Sequence, residues 1–281
     1  MNKSGRLHYV RHEARRVVQT RRAFANWPTL LKDMAAGQMG RGPGELTFHT
    51  RRGLTLTCPN IPGARLPLYE QFADDCYRID WLLGSLASSP LQVIDVGGHI
   101  GSFATNLASR NAETLVDCYE PSPESAKYLR RNAEQNALAD RITVHEAALA
   151  AEAGWATLDD NSGGSVHNGL VQDDHRLVAG NDALDTRGTI TVATATFDQA
   201  VAEAARPVDV VKMDCEGGEY ALVYASSPAS WASVQRVVME YHPVSGESWD
   251  GLRTWLEHAG LSVIRHEPTG PGLGTAWLTR A

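Results

Sequence analysis

The stretch from Leu91 to Gly101, Leu-Gln-Val-Ile-Asp-Val-Gly-Gly-His-Ile-Gly, constrains the fold of this chain more than any other. Its apolar first half lacks the alternation of a half-exposed strand, so we predict a buried parallel strand at 92–96. Glycines follow, and then a short helix predicted at 102–110. Because glycines allow close backbone approach and a helix N-terminus attracts polar ligands, we expect a ligand at the carboxyl end of this strand.

The spacing of the glycines disfavours a nicotinamide dinucleotide. The fingerprint of that cofactor is G-x-G-x-x-G, with the third glycine opening the helix. In the frame that starts at Gly97, His99 and Ser102 stand where glycine is required. The frame one residue later fails in the same way, so an NAD-dependent oxidoreductase is disfavoured.

An acidic residue stands on each side of the turn. Asp95 precedes it, and Glu120 ends the next predicted strand, 115–119. Taken singly, Asp95 is also compatible with a helix cap and Glu120 with a solvated strand end, ahead of a helix that Ser122 caps. Together, Asp-x-Gly-x-x-x-Gly and the later acid resemble the S-adenosylmethionine site of class I methyltransferases, in which Glu120 would accept both ribose hydroxyls.

The longer pattern resembles the FkbM-type methyltransferase family. Its first motif reads Asp-hydrophobic-Gly-Ala-Asn-hydrophobic-Gly, and Glu-Pro follows its second strand. Segments 211–219, Val-Lys-Met-Asp-Cys-Glu-Gly-Gly-Glu, and 237–243, Val-Val-Met-Glu-Tyr-His-Pro, resemble two further motifs of the family. The resemblance covers about residues 91–243 and departs at Gly98 and His99, where the family usually carries Ala-Asn.

This resemblance implies an α/β, Rossmann-like class I methyltransferase fold with a seven-stranded, mostly parallel sheet flanked by helices. It also implies S-adenosyl-L-methionine as the cofactor. The contacts expected for that cofactor come from the turn, the end of the second strand and later loops: Asp95, Gly97, Gly98, His99, Ile100, Gly101, Ser102, Glu120, Pro121, Ser122, Ala147, Ser165 and Asp214.

Catalytic groups are expected where the fourth and fifth strands of the sheet end, at Asp214, Glu240 and His242. Methyl transfer from a sulfonium is an in-line displacement, so the enzyme supplies alignment and, for an alcohol, a base. An imidazole with an ordinary pKa of ~6.5 suits that task, which favours His242. Asp214 remains the rival base, or the group that orients the acceptor.

We expect no metal site, because the histidines and acids at 167–175 match no ligand template. The resemblance implies O-methylation of a hydroxyl on a small natural product or glycan. Two alternatives stay open. One is an N-methyltransferase of a small amine, and the other is a noncatalytic module that retains a relic cofactor pocket.

The remaining pattern alternates strand and helix, which predicts a mostly parallel sheet. An extension at 1–68 is predicted to hold a basic amphipathic helix and a β-hairpin at 46–50 and 54–58, ahead of a methyltransferase domain at 69–281. One helix is predicted to span 72–86, and an added strand pair at 155–158 and 190–195 to flank a long loop. The other predicted strands are 141–146, 208–213, 234–241, 261–265 and 275–279, and the other helices lie near 123–137, 197–205, 219–225 and 248–258.

The charge and the cysteines of the chain indicate which binding partners and which cellular compartment to expect. The net charge of −7 argues against a nucleic-acid-binding surface, and no apolar run is long enough for a membrane span. The four cysteines are scattered, which favours a cytoplasmic protein. Residues 1–41 hold nine basic and two acidic side chains. The basic helix is therefore predicted to pack on its own acidic body or on the twin subunit of a homodimer, with a membrane surface or acidic partner as the alternative.

Overall fold

The computed structural model describes residues 15–87, 89–159 and 189–280. Ser165, the histidines and acids at 167–175 and the first part of the basic helix lie outside these residues. So does nearly all of the loop between the added strands, whose predicted role as a lid stays a prediction.

A seven-stranded sheet forms the centre of the chain, as predicted. The seven strands are β3 (Gln92–Val96), β4 (Leu115–Tyr119), β5 (Ile142–His145), β9 (Val210–Met213), β10 (Arg236–Tyr241), β11 (Leu261–Gly270) and β12 (Leu273–Arg280). Their order in the sheet is β11-β12-β10-β9-β3-β4-β5; β5, β4, β3, β9 and β10 run parallel, whereas β12 is antiparallel to both of its neighbours. Every residue of β3 and β9 is buried, because helices cover both faces of these central strands.

Five helices accompany this sheet: α5 (Ser102–Arg110), α6 (Pro123–Gln135), α7 (Phe197–Glu203), α8 (Glu219–Ala225) and α9 (Trp249–His258). Their ends follow from local chemistry. The Ser122 hydroxyl accepts a hydrogen bond from the amide of Ser125 and so caps α6, and Pro123 occupies its first turn. Gly260 adopts a φ of 88° just after α9, a conformation that favours glycine. Among the described residues, no helix combines the length and apolarity needed to cross a bilayer.

The added strands form a second, three-stranded sheet. β7 (Gly154–Asp159) pairs antiparallel with β8 (Thr189–Ala195), which confirms the predicted strand pair. β8 also pairs in parallel with the short strand β6 (Ala147–Leu149), which was not predicted. Since β6 follows β5 after one residue, this small sheet begins at the carboxyl edge of the main one.

The N-terminal part packs directly on the rest of the chain. It comprises α1, helical over residues 15–23, α2 (Trp27–Gln38), the hairpin β1 (Glu45–His49) and β2 (Thr55–Pro59), and α3 (Pro62–Tyr69). The hairpin confirms the prediction, whereas α2 and α3 were missed. Phe24, Phe48 and Leu56 share one buried cluster with Ile100 and Tyr128 of the main part. The domain boundary at 68/69 stays a prediction.

The described part of the basic helix lies against its own chain. Arg15 forms an ion pair with Asp74 at 3.2 Å, and Gln19 donates a hydrogen bond to the same carboxylate. The Arg16 guanidinium lies 4.5 Å from the centre of the Tyr69 ring. These contacts agree with packing on the acidic body of the same chain.

The prediction of one helix over 72–86 is wrong. The chain instead forms a π-helical turn at Glu70–Asp74, a left-handed Asp75 and Arg78, and then α4 (Ile79–Leu83) with a 3₁₀ turn at Gly84–Leu86. The apolar spacing is compatible with helix, but tertiary contacts override it. Between the two helical pieces, Tyr77 turns inward and donates a hydrogen bond from its hydroxyl to Asp214.

Candidate active site

A cavity of about 340 Å³ opens at the carboxyl ends of β3, β4, β9 and β10. This is the edge at which parallel α/β sheets bind their ligands. Residues predicted as functional line much of it, namely Gly97, Gly98, His99, Ser102, Glu120, Pro121, Asp214, Glu240 and His242. The cavity therefore joins the predicted cofactor turn to the predicted catalytic strand ends.

The glycine turn after β3 depends on the absence of a side chain at Gly97. This residue has a φ of 76°, and a Cβ atom there would lie 1.9 Å from the carbonyl oxygen of Asp214. The amides of Gly97 and Gly98 both donate to the carbonyl of Tyr119, so these two amides tie β3 to β4. Close contact between the turn and β9 thus requires glycine at position 97.

Glu120 is a buried carboxylate that faces the cavity from the end of β4. Its Oε2 accepts a hydrogen bond of 2.7 Å from the amide of His99, and its Oε1 accepts one of 2.9 Å from the amide of Ser122. Burial raises the pKa of Glu120 to about 7, although both amides lower it. Each oxygen keeps a second lone pair, so this carboxylate can accept hydroxyl donors of a ligand.

Asp95 lies beneath the turn and does not line the cavity. Its fully buried carboxylate lies 3.2 Å from the amino group of Lys212, which also donates to the carbonyls of Val96 and Gly97. Burial lowers the pKa of Lys212, but the charges of Asp95 and Asp214 raise it overall. The pair therefore fixes the turn between β3 and β9, an arrangement that the sequence motif alone did not indicate.

Several acidic side chains line the cavity where β9 and β10 end. Asp214 follows β9, Glu240 lies near the end of β10, and Glu70 enters from the π-helical turn. Burial and the nearby charge of Asp214 raise the pKa of Glu70 to about 7 and that of Glu240 to about 8. The Tyr77 hydroxyl donates to Asp214 at 2.7 Å. This half of the cavity suits a cationic or hydrogen-bond-donating group.

His242 is held between two acids immediately after β10. Its Nδ1 lies 3.1 Å from Oε1 of Glu219, and its Nε2 lies 3.5 Å from Oε2 of Glu216. Glu219 is fully buried and also accepts hydrogen bonds from the amides of Cys215 and Gly217. The buried carboxylate at Nδ1 orients the imidazole ring, so that Nε2 faces Glu216.

The electrostatics at His242 differ from the ordinary imidazole that the sequence suggested. Burial alone lowers the pKa of His242, but the hydrogen bond to Glu219 and the charges of Glu219, Glu216 and Asp214 raise it to about 10. The ring is therefore an imidazolium at neutral pH in the free protein. In addition, one ligand atom each from Asp214, Glu216 and His242 lies within 4.8 Å of the others, which is close enough to share one cation.

Among the described residues, four further predicted cofactor residues do not line the cavity: Ile100, Gly101, Ser122 and Ala147. Ile100 is buried in the cluster that contains Phe24 and Phe48, Gly101 is the N-cap of α5, and Ser122 caps α6. Ala147 is the residue before two that do line the cavity, Ala148 and Leu149. Ser165 lies outside the described residues.

Sequence reasoning missed two contributors to the site, Tyr77 and Lys212. Tyr77 falls inside the helix predicted over 72–86, and no role was predicted for Lys212. A lysine inside a buried apolar strand is a signal that was available, because such a charge requires a partner. No local signal indicated Tyr77, since its position depends on the break at Asp75 and Arg78.

Comparisons with known proteins agree with this geometry. The model of the family described as "Methyltransferase FkbM domain" matches residues 95–263. The 31-O-demethyl-FK506 methyltransferase FkbM of Streptomyces tacrolimicus is 24% identical over 247 residues, which cover 80% of this chain and 93% of that protein. Methyltransferase sdnD of Sordaria araneosa is 24% identical over 218 residues, 70% of this chain and 81% of that protein.

Solved structures of lower similarity include the METTL16 methyltransferase domain, with 15% identity and a TM-score of 0.48 over 82% of this chain and 74% of that one. Another is magnesium protoporphyrin IX methyltransferase from Synechocystis PCC 6803 with bound SAM, with 14% identity and a TM-score of 0.45 over 79% of this chain and 85% of that one. The family model spans more than half of the chain and includes the carboxyl ends of the strands that form the cavity. The chain belongs to the FkbM methyltransferase family and is a methyltransferase that uses S-adenosyl-L-methionine.

Proposed function

We propose that this enzyme O-methylates a hydroxyl group of a small natural product or glycan in the cavity described above. The observation that carries the proposal is the contact between His242 and buried Glu219, which holds the imidazole ring in one orientation, as a base in this cavity would require. Bound S-adenosyl-L-methionine supplies a methyl group activated by a sulfonium. The protein then has to align the acceptor, exclude water and take up the hydroxyl proton.

The residues of the cavity fit this cofactor. Glu120 offers a buried carboxylate that can accept the ribose hydroxyls, and the neighbouring turn residues Gly97 and Gly98 line the same cavity. We propose that Gly98, His99 and Ser102 complete the cofactor contacts, since they line the same wall. Asp95 acts through Lys212 by holding the turn in place.

We assign the base to His242 and a positioning role to Glu219. As the carbon–oxygen bond forms and the carbon–sulfur bond breaks, with S-adenosylhomocysteine as the leaving group, the acceptor hydroxyl transfers its proton to Nε2. Before this step, Nε2 must release its own proton to solvent and lose its contact with Glu216. Glu219 retains the hydrogen bond to Nδ1 and stabilises the imidazolium that results. Asp214, held by Tyr77, and Glu240 then orient the acceptor.

A metal ion is the competing explanation for the group formed by Asp214, Glu216 and His242. We propose that the imidazolium of His242 is the cation of this group, because both of its nitrogens already face carboxylates. Treatment with EDTA followed by dialysis should therefore leave methyl transfer unchanged. Loss of activity that Mg²⁺ restores would assign the group to a metal.

The reaction can be tested with S-adenosyl-L-methionine labelled with ¹³C in its methyl group. The name of the Streptomyces tacrolimicus relative supplies one acceptor, 31-O-demethyl-FK506. Other hydroxylated macrolides, glycosides and their amine-bearing counterparts complete the panel. We expect a product in which the labelled methyl correlates by NMR with an oxygen-bearing carbon. Transfer to none of the acceptors, with cofactor binding intact, would favour a noncatalytic module.

N-methylation of a small amine is the second candidate. It is favoured by the acidic side chains of Glu70, Asp214, Glu216 and Glu240, which together suit an amine that binds as an ammonium and transfers a proton to one of them before it accepts the methyl group. Because both reactions add the same mass, product NMR distinguishes them. A labelled methyl on nitrogen in every product would replace O-methylation by this alternative.

We also propose that the enzyme works in the cytoplasm on a small-molecule acceptor. The four cysteines are free thiols, which agrees with a reducing compartment. A homodimer remains a proposal, for which sedimentation of the purified protein is the direct test.

A further inference from the structure

A second cavity, of about 150 Å³, lies between the N-terminal part and the methyltransferase sheet. It shares no lining residue with the active-site cavity. Its walls come from α1, the tip of the β1–β2 hairpin, the segment around the π-helical turn, and α5. The lining residues are Arg22, Ala23, Thr50, Arg51, Arg52, Gln71, Phe72, Asp75, Asn106 and Arg110.

Gln71 is the side chain of this cavity that needs an explanation. Only 3% of the residue is exposed, and neither its Oε1 nor its Nε2 has a hydrogen-bond partner among the described residues. Buried amides in native proteins are nearly always paired, because an unpaired one loses its hydration without compensation. Gln71 lines the cavity, and its unpaired amide is therefore the group that a ligand in the cavity would pair.

The charge of the cavity indicates the class of that ligand. Four arginines line it and one acid, Asp75, opposes them among the described residues. Arg110 is partly neutralised by Asp80 at 2.6 Å, and Arg51 donates to the backbone carbonyl of Arg21. Arg22 and Arg52 bring further guanidinium groups, whose planar donor geometry matches phosphate and sulfate oxygens.

We propose that this cavity binds a tetrahedral oxyanion, phosphate or sulfate, either free or as the terminal group of a small ester. The arginines supply the charge, and the Nε2 amide of Gln71 donates a hydrogen bond to an anion oxygen. The chain as a whole is acidic, with a net charge of −7, so this basic cavity is a local feature and not a consequence of overall charge. It also gives a role to Arg22 of the basic N-terminal helix.

Calorimetric titration of the full chain with inorganic phosphate, and separately with glycerol 3-phosphate, tests the proposal at an ionic strength held constant with chloride. We expect one saturable site for at least one of the two. Arg52→Ala and Gln71→Leu should each weaken binding by roughly tenfold or more, as expected for a lost hydrogen bond to a charged group. Tighter binding of the ester indicates an ester ligand, and tighter binding of phosphate a free anion.

Arg21→Ala is the matched control. It removes the same charge next to Arg22, but Arg21 does not line the cavity. We expect an affinity for phosphate within about twofold of the wild type, as for other exposed charges. Binding of S-adenosylhomocysteine should be unchanged in all three variants, which reports that they fold.

Two results would overturn the proposal. The first is the absence of saturable binding of either probe by the wild-type protein at millimolar concentrations. The second is an equal loss of affinity in Arg21→Ala and Arg52→Ala with none in Gln71→Leu, since this would reflect only the general positive charge of the surface.

Discussion

The amino nitrogen of Lys212 lies 3.2 Å from Oδ1 of Asp95, and both side chains are buried between β3 and β9. The same amino group donates to the carbonyl of Gly97, so this ion pair is linked to the start of the turn that lines the cavity. The sequence motif associates Asp95 with the cofactor. In the structure, Asp95 instead supports, through Lys212, the backbone of the turn that lines the cavity.

Replacement of Lys212 by methionine should destabilise the fold strongly. It leaves the Asp95 carboxylate buried without its partner, which typically costs about 3–5 kcal/mol. The free energy of unfolding in urea measures the loss, with Lys127→Met, an exposed lysine, as the control. A change below about 1 kcal/mol, the scale of surface pairs, would show that the buried pair does not hold the turn.

Replacement of Gly97 by alanine should also be strongly destabilising. The new Cβ would lie 1.9 Å from the carbonyl oxygen of Asp214, so β3 and β9 would have to move apart. Gly53 supplies a matched control, because its φ is also positive, at +89°, and a Cβ there meets no atom within 4 Å. We expect Gly97→Ala to exceed Gly53→Ala by more than about 2 kcal/mol in unfolding experiments. Equal losses would mean that backbone conformation alone requires glycine at position 97.

Glu120 should make cofactor affinity depend on pH. Burial raises its pKa to about 7, and its ionised form is the better acceptor for hydroxyls. Affinity for S-adenosylhomocysteine, measured by calorimetry, should therefore fall as the pH drops through 7. Glu120→Ala should weaken binding by roughly 1.5–3 kcal/mol and remove this part of the dependence.

Exposed Glu124 is the control for this experiment. Glu124→Ala should bind like the wild type at each pH. Unchanged affinity in Glu120→Ala would show that Glu120 does not bind the cofactor. It would also contradict the proposed position of the ribose beside Glu120.

Tyr77→Phe should lower the rate of methyl transfer and have only a small effect on the free energy of unfolding. It deletes the hydroxyl that orients Asp214, a loss of about 1 kcal/mol for a neutral donor and somewhat more to a carboxylate. We expect kcat to fall by about tenfold. Tyr128→Phe is the matched control, since its hydroxyl also donates to a carboxylate at 2.7 Å, that of Glu45, away from the cavity. If both variants retain full kcat, Asp214 needs no support from Tyr77.

The sequence predicted the strands of the main sheet because buried parallel strands are apolar throughout and their connections alternate with helices. It also placed Glu120, Asp214, Glu240 and His242 at one edge, since the carboxyl ends of parallel strands meet there. It failed around Tyr77, where apolar spacing typical of helix is overridden by a hydrogen bond to a residue 137 positions away. Such a contact leaves no local periodicity to detect.

The raised pKa of His242 could not be predicted from the sequence for the same reason, because it depends on long-range contacts. The residue type suggested ordinary imidazole chemistry, but its surroundings come from the loop at 214–219, which the fold brings beside β10. Two carboxylates at its nitrogens convert a base of ordinary strength into one with a pKa of about 10, despite burial. The contacts of His242 with Glu216 and Glu219 form only when the fold brings these residues beside β10, so the sequence alone could not predict them.

The pH dependence of kcat tests the assignment of His242 most directly, using the acceptor on which the wild-type enzyme turns over. Since the base must lose its proton first, kcat should rise with pH well above 6.5 and approach a plateau only as the pH nears 10. Glu219→Gln should move that rise to lower pH, because it removes the charge beside Nδ1. His242→Gln should abolish the rise and lower kcat by about 10²–10⁴-fold, with cofactor affinity retained. A His242→Gln enzyme that keeps both near-full kcat and the wild-type pH profile would contradict the account.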